Sequence, residues 1–419
     1  MRNLFLFTFC LFSINLFADD LKNQIDEDIQ GIMTKVVEWR HHFHEYPELS
    51  NREYQTAAYI KEKLEALGLE VNSGIAFTGL TAFIRGENPG PLIALRADMD
   101  ALPVTEKLNL PFSSKQVTTY QGQQVGVMHA CGHDGHIAML LGTAKIMSQK
   151  NNQYQGTIRF IFQPAEEGAG GARYMIEDGC LDGLDEIYGI HVWNYQPFGE
   201  VGIKSGPVMA SADMFDIKIK GIGGHGAAPQ GTVDAIIVTS HLIQALQTIV
   251  SRNTNPLDST VVSIGKINGG HNFNIIADEV NLSGTTRAYS EQNRKLIKSR
   301  MKEIIAGVEK MYNAEIVFNY TDGYPPTINH KKQSENVLEA AKKVVGEKAG
   351  PPYLSMGGED FSYYLQKIPG CFFFVGSAPN KAKLFETPHH CSHFNMDERA
   401  LLVGPSIYLN IIDKILLTQ

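Results

Sequence analysis

Residues 157–168 read Thr-Ile-Arg-Phe-Ile-Phe-Gln-Pro-Ala-Glu-Glu-Gly, an apolar run that ends in a proline, an alanine and two acids. Nearly continuous apolar runs of this kind are typical of strands that are buried on both faces of a sheet. Similar runs occur at 93–97, 187–192 and 371–376, and apolar residues at helical spacing, such as those at 137–147, lie between the runs. Strands that alternate with helices predict an α/β sheet.

The pattern changes between residues 206 and 320. Phe215, Ile217 and Ile219 alternate with charged residues, which indicates a strand with one face in water. A helical stretch, two further strands, a long charged helix and a last strand follow, in the order β-α-β-β-α-β of ferredoxin-like domains. We therefore expect a small domain at 206–320, inserted into a larger α/β domain built from residues 19–205 and 321–419.

The first residues have the composition of a secretory signal. Arg2 precedes an apolar run at 4–17 that is shorter than the roughly 20 residues of a membrane span, and Ala18 provides a cleavage site. We expect residues 1–18 to be removed and the product to be exported, into a periplasm or the medium, without a membrane anchor. Cysteine spacing matches no disulfide framework, so pairing among Cys180, Cys371 and Cys391 stays open.

Charge narrows the class of partner. The chain has 45 acidic and 37 basic side chains, for a formal net charge of −8, and no run of Lys or Arg. Because phosphate binding depends on clustered positive charge, we expect a small-molecule substrate and no nucleic acid.

Side chains that bind metals follow the predicted strands. The segment 129–136 reads His-Ala-Cys-Gly-His-Asp-Gly-His, and the segment 389–393 reads His-His-Cys-Ser-His. Glu166, Glu167 and His191 also stand at strand ends, where ligands gather in open α/β sheets. Imidazole, thiolate and carboxylate together suit Zn²⁺ or Mn²⁺. These donors exceed the needs of one ion, so they predict two divalent ions that share an activated water.

Two other interpretations account for less of the sequence. Residues 221–226 match the dinucleotide-binding pattern G-x-G-x-x-G, but the preceding strand alternates charged with apolar residues and no acid follows about 20 residues later. A Cys–His hydrolase with Cys131 as nucleophile is the second interpretation. It would leave Glu166, Glu167 and His191 without a role.

Several motifs occur in a characteristic order. They are Trp-Arg-His-His-Phe-His-Glu-Tyr-Pro-Glu at 39–48, Arg-Ala-Asp-Met-Asp-Ala-Leu-Pro at 96–103, the 129–136 segment, Gln-Pro-Ala-Glu-Glu-Gly at 163–168, Gly-Gly-His at 223–225, Ser-Met-Gly-Gly-Glu-Asp-Phe at 355–361 and the tail at His390. From about residue 30 to its end, the chain resembles the amidohydrolase branch of the aminoacylase and carboxypeptidase-G family, which includes hippurate hydrolases and plant auxin-conjugate hydrolases.

The resemblance implies a dinuclear-metal hydrolase domain and a role for each donor. It makes Glu166 the general base and places Asp100 beside the ligands, where it would orient them. It implies that the metal ligands are Cys131, His133, Glu167, His191 and His390. His390 is favoured over His389 and His393 because it stands four residues before Phe394.

The resemblance also implies that the inserted domain is a lid and the interface of a homodimer. His225 would reach the partner subunit's site and hydrogen-bond the developing oxyanion. Asn274 and Arg287 would position the substrate, with the Arg287 guanidinium binding a carboxylate.

The expected reaction is hydrolysis of an N-acyl amino acid (acetyl, benzoyl or similar) or of a peptide-like amide, with two ions, Mn²⁺ or Zn²⁺, in each subunit. A metallo-dipeptidase or aminopeptidase is the alternative within enzymes. A metal-dependent binding protein that has lost catalysis is the alternative outside them.

Overall fold

The computed structural model describes residues 27–168, 170–379 and 384–417. The predicted signal peptide at 1–18 lies outside these ranges. The chain divides into two compact units. The described part of the first comprises residues up to Ser205, Asn329–Tyr353 and the residues from Tyr364 onward, and the second comprises Gly206–Ile328 and Leu354–Tyr363. The second unit therefore holds residues 321–328 and 354–363 in addition to the predicted 206–320 segment.

Helices and strands follow one another along the chain with short connections. The helices are α1 (27–45), α2 (Tyr54–Ala66), α3 (His133–Met147), α4 (Gly171–Glu177), α5 (Ala235–Thr248), α6 (Glu291–Tyr312), α7 (Lys331–Val345), α8 (Ser362–Leu365) and α9 (Ala400–Leu416). The strands are β1 (Glu70–Ile75), β2 (Gly79–Arg85), β3 (Asn88–Asp98), β4 (Val117–Tyr120), β5 (Gln123–Gly126), β6 (Gln155–Gln163), β7 (Glu186–Pro197), β8 (Val201–Gly202), β9 (Gly206–Met209), β10 (Ala212–Lys220), β11 (Gly224–His225), β12 (Thr260–Gly269), β13 (Ile275–Ile276), β14 (Glu279–Ala288), β15 (Glu315–Tyr324), β16 (Thr327–Asn329), β17 (Ala349–Gly350) and β18 (Gly370–Ala378).

The first unit is built on an eight-stranded sheet in the order β1-β2-β6-β3-β7-β18-β8-β17. Its centre, β6-β3-β7-β18, is parallel. Strands β1 and β2 pair antiparallel with each other, β2 pairs antiparallel with β6, and β8 pairs antiparallel with β18 but parallel with β17. The four apolar runs of the sequence lie in these parallel strands, so the predicted α/β class is confirmed. Parallel strands end at the same edge of a sheet, and this edge carries the residues that follow β3, β6, β7 and β18.

Helix α3 packs in the core of this unit. All but one of its fifteen residues are buried, and Ile137, Leu140 and Leu141 have no exposed surface. Truncation of such a side chain to alanine costs about 2–5 kcal/mol. The helix begins after Gly132, whose φ of +94° favours glycine. A Cβ atom there would lie 2.3 Å from Val192 Cγ2, so only glycine brings the segment this close to β7.

The second unit has a four-stranded antiparallel sheet in the order β12-β14-β10-β15, with α5 and α6 packed on it. Phe215, Ile217 and Ile219 of β10 face the core, as their alternation predicts. Helix α6 buries Ile297, Met301 and further apolar residues of the same face. The Ser290 hydroxyl caps this helix by accepting the backbone N–H of Asn293.

The helices and the cysteines were each compared with the expectations from the sequence. Within the described ranges, no helix combines the length and the apolar character that crossing a membrane requires. Cys131, Cys180, Cys371 and Cys391 are all present as free thiols. The three cysteines whose pairing the sequence left open are therefore not bonded to one another.

Candidate metal centre

The predicted metal ligands come together from the start of α3, from β7 and from the segments that follow β6 and β18. Among the groups of donors whose ligand atoms lie within 4.8 Å of one another, three consist of predicted site residues alone: Cys131 with His133 and His191, Cys131 with Glu167 and His390, and His133 with Glu166 and Glu167. Each group shares a member with another, so the five predicted ligands and Glu166 form one continuous cluster. We call these six residues the donor cluster.

Individual distances show how close the donors are. Cys131 Sγ lies 3.5 Å from His191 Nε2. Glu167 Oε1 lies 3.3 Å from His390 Nε2 and 3.9 Å from His133 Nε2. Donors from distant parts of the chain therefore lie close enough to one another to bind two neighbouring ions, whose usual separation is about 3.5–4 Å.

The imidazole hydrogen bonds indicate which ring nitrogens are open to a metal. His133 Nδ1 donates to the carbonyl of Asp100 at 2.8 Å, and His191 Nδ1 donates to the carbonyl of Val192 at 2.5 Å. We infer that both rings would keep a proton on Nδ1 when metal is bound, which makes Nε2 the atom of each ring that a metal could reach. His133 Nε2 and Glu167 Oε1 are buried and have no hydrogen-bond partner among the described residues. Buried donors of this kind fit a divalent cation, because a bound cation would satisfy them.

Electrostatics in the cluster also favour a cation. Burial, and then the charges of Glu167 and Glu166, raise the pKa of Cys131 well above its usual value. Burial alone would lower the pKa of His133, but Asp98, Asp100 and Glu167 raise it to about 10. Burial lowers the pKa of His191 and keeps that ring neutral. Without metal, burial and the nearby carboxylates keep Cys131 protonated, and the carboxylates keep His133 protonated. A divalent ion would displace these protons.

Two aspartates lie behind the cluster and have other partners. Asp98 accepts from Arg96 Nη1 at 2.6 Å and pairs with His136 Nδ1 at 2.6 Å. Asp100 accepts the backbone N–H of Glu166 on Oδ1 and that of Glu167 on Oδ2, both at 3.0 Å. The Ser50 hydroxyl donates to Oδ2 at 2.6 Å. Asp100 therefore supports His133 through its carbonyl and both glutamates through its carboxylate, the orienting position that the resemblance implies.

His136 supports the site, although the sequence did not predict it as a site residue. Its Nε2 accepts the backbone N–H of Val192 at 2.8 Å, and its Nδ1 donates to Asp98. Both nitrogens are used, so the ring links β7 to Asp98. The signal was present in the sequence, because His136 stands three residues after His133 on one helix face.

Adjacent histidines in the tail differ in their hydrogen bonds. His389 is partly buried, its Nε2 accepts the backbone N–H of Asn194 at 3.1 Å, and its Nδ1 donates to the carbonyl of Cys131 at 3.2 Å. His390 has a φ of +67°, its side chain is 55% exposed, and its Nε2 faces Glu167. Of the two, His390 is the one with a ring nitrogen open to a metal.

The three remaining predicted site residues belong to the second unit. His225 is exposed on β11, which pairs with β13, and its Nδ1 accepts the backbone N–H of Ala227 at 3.0 Å. The carbonyl of Asn274 accepts the backbone N–H of Gly226 at 2.8 Å, so Asn274 and His225 are neighbours. Arg287 lies on β14, and burial lowers its pKa.

Comparisons with known proteins show the family to which the chain belongs. Residues 94–414 match the model of peptidase family M20/M25/M40. The chain is 42% identical to the N-acetyl-L-cysteine deacetylase of Bacillus subtilis over 377 residues, which cover 90% of this chain and 86% of that protein. It is 39% identical to the IAA-amino acid hydrolase ILR1-like 4 of Arabidopsis thaliana, with coverage of 90% and 85%. Among solved structures, the YXEP protein of Bacillus subtilis, a dinuclear metal binding peptidase from the M20 family, matches with a TM-score of 0.79, 35% identity and coverage of 91% and 98%.

Proposed function

Because this chain belongs to peptidase family M20/M25/M40, we propose that it is a metal-dependent amidohydrolase that cleaves N-acyl amino acids into a carboxylate and a free amino acid. The observation that carries the proposal is the donor cluster, in which an acid, Glu166, stands beside five side chains able to bind metal. An inactive binding protein would not need that additional acid. The relatives named as an N-acetyl-L-cysteine deacetylase and an IAA-amino acid hydrolase support small acylated amino acids as the substrate class.

The chain's own residues divide the work of hydrolysis. Cys131, His133, Glu167, His191 and His390 would hold two ions, Mn²⁺ or Zn²⁺. When bound, such ions supply Lewis acidity and a water of lowered pKa. Glu166 accepts a proton from the attacking water and later gives it to the leaving nitrogen. One water is consumed, the amide C–N bond breaks, and the products are a carboxylate and an amine.

We assign the binding of the substrate to the second unit. Arg287 offers two parallel N–H donors to the carboxylate of the amino acid, and Asn274 adds an amide. His225 would reach the site of the partner subunit and donate to the oxyanion that forms there on the attacked carbonyl. These roles follow the resemblance, and the adjacency of His225 and Asn274 supports them.

We also propose that the protein is exported and forms a homodimer through its second unit. The apolar segment at 4–17 supports export. Strand β12 is an edge of its sheet, and Ile236, Ile237 and Ile267 are exposed on the same unit. Sheet edges and exposed apolar side chains favour association with another chain. Light scattering would show twice the monomer mass, and the intact mass of the exported protein would show whether cleavage follows Ala18.

The experiment that tests the proposed function is turnover on a panel of N-acetyl and N-benzoyl amino acids, alongside dipeptides with a free amino group. We expect release of free amino acid from the acylated compounds, loss of activity after chelation, and its return with Mn²⁺ or Zn²⁺. The Glu166→Gln variant should retain two metals per chain and lose at least about three orders of magnitude in kcat. Full activity of chelated protein, or near-normal turnover by Glu166→Gln, would refute the mechanism. A requirement for a free amino group would assign the enzyme to the peptidases instead.

A further inference from the structure

Three consecutive backbone N–H groups at the donor cluster end on two buried carboxylates. The N–H of Ala165 donates to Glu53 Oε1 at 2.9 Å, and those of Glu166 and Glu167 donate to the two oxygens of Asp100. Glu53 has no exposed surface and Asp100 has 1%. Hydrogen bonds to both acids therefore fix the backbone of the segment that carries Glu166.

Ala165 has a backbone conformation that needs this support. Its φ is +55°, in the left-handed region that non-glycine residues avoid because of their Cβ atom. The carbonyl of Ala165 accepts the N–H of Gly171 at 3.1 Å, and the carbonyl of Glu166 accepts that of Gly168 at 2.7 Å. Strained backbone persists only where surrounding contacts determine it, and it concentrates at functional sites.

Glu53 directs its carboxylate inward although it stands at a helix end. It occupies the N-cap position of α2, yet its side chain makes no capping bond. Glu48 caps that helix instead, because its Oε2 accepts both the N–H and the hydroxyl of Thr56. Glu53 Oε2 accepts the hydroxyl of Thr78 at 2.7 Å, so both Glu53 oxygens face inward. Burial, and then the nearby Asp100 charge, raise the pKa of Glu53, which shows that its position is costly.

We propose that Glu53 is a positioning residue for hydrolysis, which holds Ala165 in its left-handed conformation and so directs the Glu166 carboxylate toward the reacting water. The inference rests on the proposed function, because it concerns the group that accepts the proton. If φ of Ala165 returned to negative values, the chain would leave β6 in another direction and Glu166 would move with it. A misplacement of about 1 Å in a reacting group can cost on the order of a hundredfold in rate.

The test compares Glu53→Ala and Glu53→Gln with wild type, using metal content, kcat, KM and hydrogen exchange. For Glu53→Ala we expect two metals per chain, a kcat lowered about a hundredfold, and a KM within about threefold of wild type. Amide exchange in the peptide that contains residues 164–168 should accelerate at least tenfold in the metal-free variant. Glu53→Gln keeps one oxygen for the Ala165 N–H, and it should recover at least tenfold of the lost kcat.

A double-mutant cycle separates positioning from general destabilisation. Glycine accepts a positive φ without the Cβ penalty, so Glu53→Ala should cost at least tenfold less in kcat when Ala165→Gly is also present. The control is Thr78→Val, which removes the other hydrogen bond to the same carboxylate and should lower the unfolding midpoint while keeping kcat within about threefold.

The outcomes distinguish this inference from the function on which it rests. If wild type hydrolyses none of the panel, the proposed function fails. If wild type is active, the inference is overturned by a normal kcat in Glu53→Ala, by metal loss parallel to the loss of activity, by an equal penalty in both Ala165 backgrounds, or by an equal loss in Thr78→Val.

Discussion

Replacement of Asp100 by asparagine should weaken metal binding without unfolding the protein. The Asp100 carboxylate accepts two backbone N–H groups at 3.0 Å, from Glu166 and Glu167, and the Ser50 hydroxyl at 2.6 Å. Burial alone would raise the pKa of Asp100, but hydrogen bonds from His133, Ser50 and the Glu167 backbone hold it below its usual value. The group is therefore an ionised acceptor on both oxygens.

The magnitude follows from the geometry. Asparagine has one side-chain oxygen, so one of the two N–H groups would face an NH₂ donor. A hydrogen bond to a charged group contributes about 1.5–3 kcal/mol. Loss of an outer partner of a metal ligand typically costs 10–100-fold in metal affinity or activity, which is about 1.4–2.7 kcal/mol. Both estimates give the same range, and we expect metal affinity to fall by about 10–100-fold in Asp100→Asn.

The assay is competition for Mn²⁺ or Zn²⁺ with a chromophoric chelator, together with urea unfolding of the metal-free protein. The control is Ser50→Ala, which removes the hydroxyl donor but leaves both glutamate N–H groups on the carboxylate, and its affinity should stay within about threefold. Wild-type affinity for both ions in Asp100→Asn would refute the reasoning, because it would show that the backbone bonds do not position Glu167.

Three further predictions concern the tail, the start of α3 and a buried ion-pair network. His390→Ala should lose at least one of two bound ions, whereas His389→Gln should keep both, as measured by metal analysis after dialysis; equal loss would contradict the assignment of their ring nitrogens. Gly132→Ala should destabilise the protein by about 2–4 kcal/mol in urea unfolding, because its Cβ would meet Val192 and its φ is positive. The control Gly231→Ala, with no atom within 4 Å of the added Cβ, should stay within about 0.5 kcal/mol. Burial lowers the pKa of His44, but Asp134 at 2.9 Å and Glu106 at 3.5 Å raise it overall. The stabilisation from the charged ring is therefore fully present below the pKa of about 6.5 that histidine has in the unfolded chain, and it is lost as pH rises through the higher pKa of the folded protein. In metal-free protein the stability difference between wild type and His44→Gln should be larger at about pH 5.5 than at about pH 8.5, and an equal difference would exclude a charged His44.

Much of the fold follows from local patterns. The four continuous apolar runs lie in the parallel strands β3, β6, β7 and β18, and the alternating run at 214–220 lies in β10. These patterns can be read locally because a strand with one buried face alternates apolar with polar residues, whereas a strand buried on both faces is apolar throughout. The return from the second unit was less predictable. Residues 354–363 belong to that unit although the chain between 329 and 353 does not, and the composition does not mark this second crossing.

The sequence alone also predicted which residues supply the donor atoms of the donor cluster. Cys131 and His133 stand at the start of α3, and Glu167 and His390 follow β6 and β18, whose ends lie at one edge of the sheet. The prediction that His191 stands at a strand end was wrong, because β7 continues to Pro197. By itself, the sequence determined the α/β class, the order of the inserted segment and the residue types of the donor cluster.

Tertiary structure decided which atoms of these residues are open. His389 and His390 are equivalent as letters, but Asn194 and Cys131 occupy both nitrogens of His389. Glu53 lies 112 positions from Ala165, and neither the apolar periodicity nor the motif spacing links them. The physical reason is that a tautomer, a strained φ or a buried carboxylate depends on hydrogen-bond partners from distant parts of the chain. Those partners meet only after the sheet has formed.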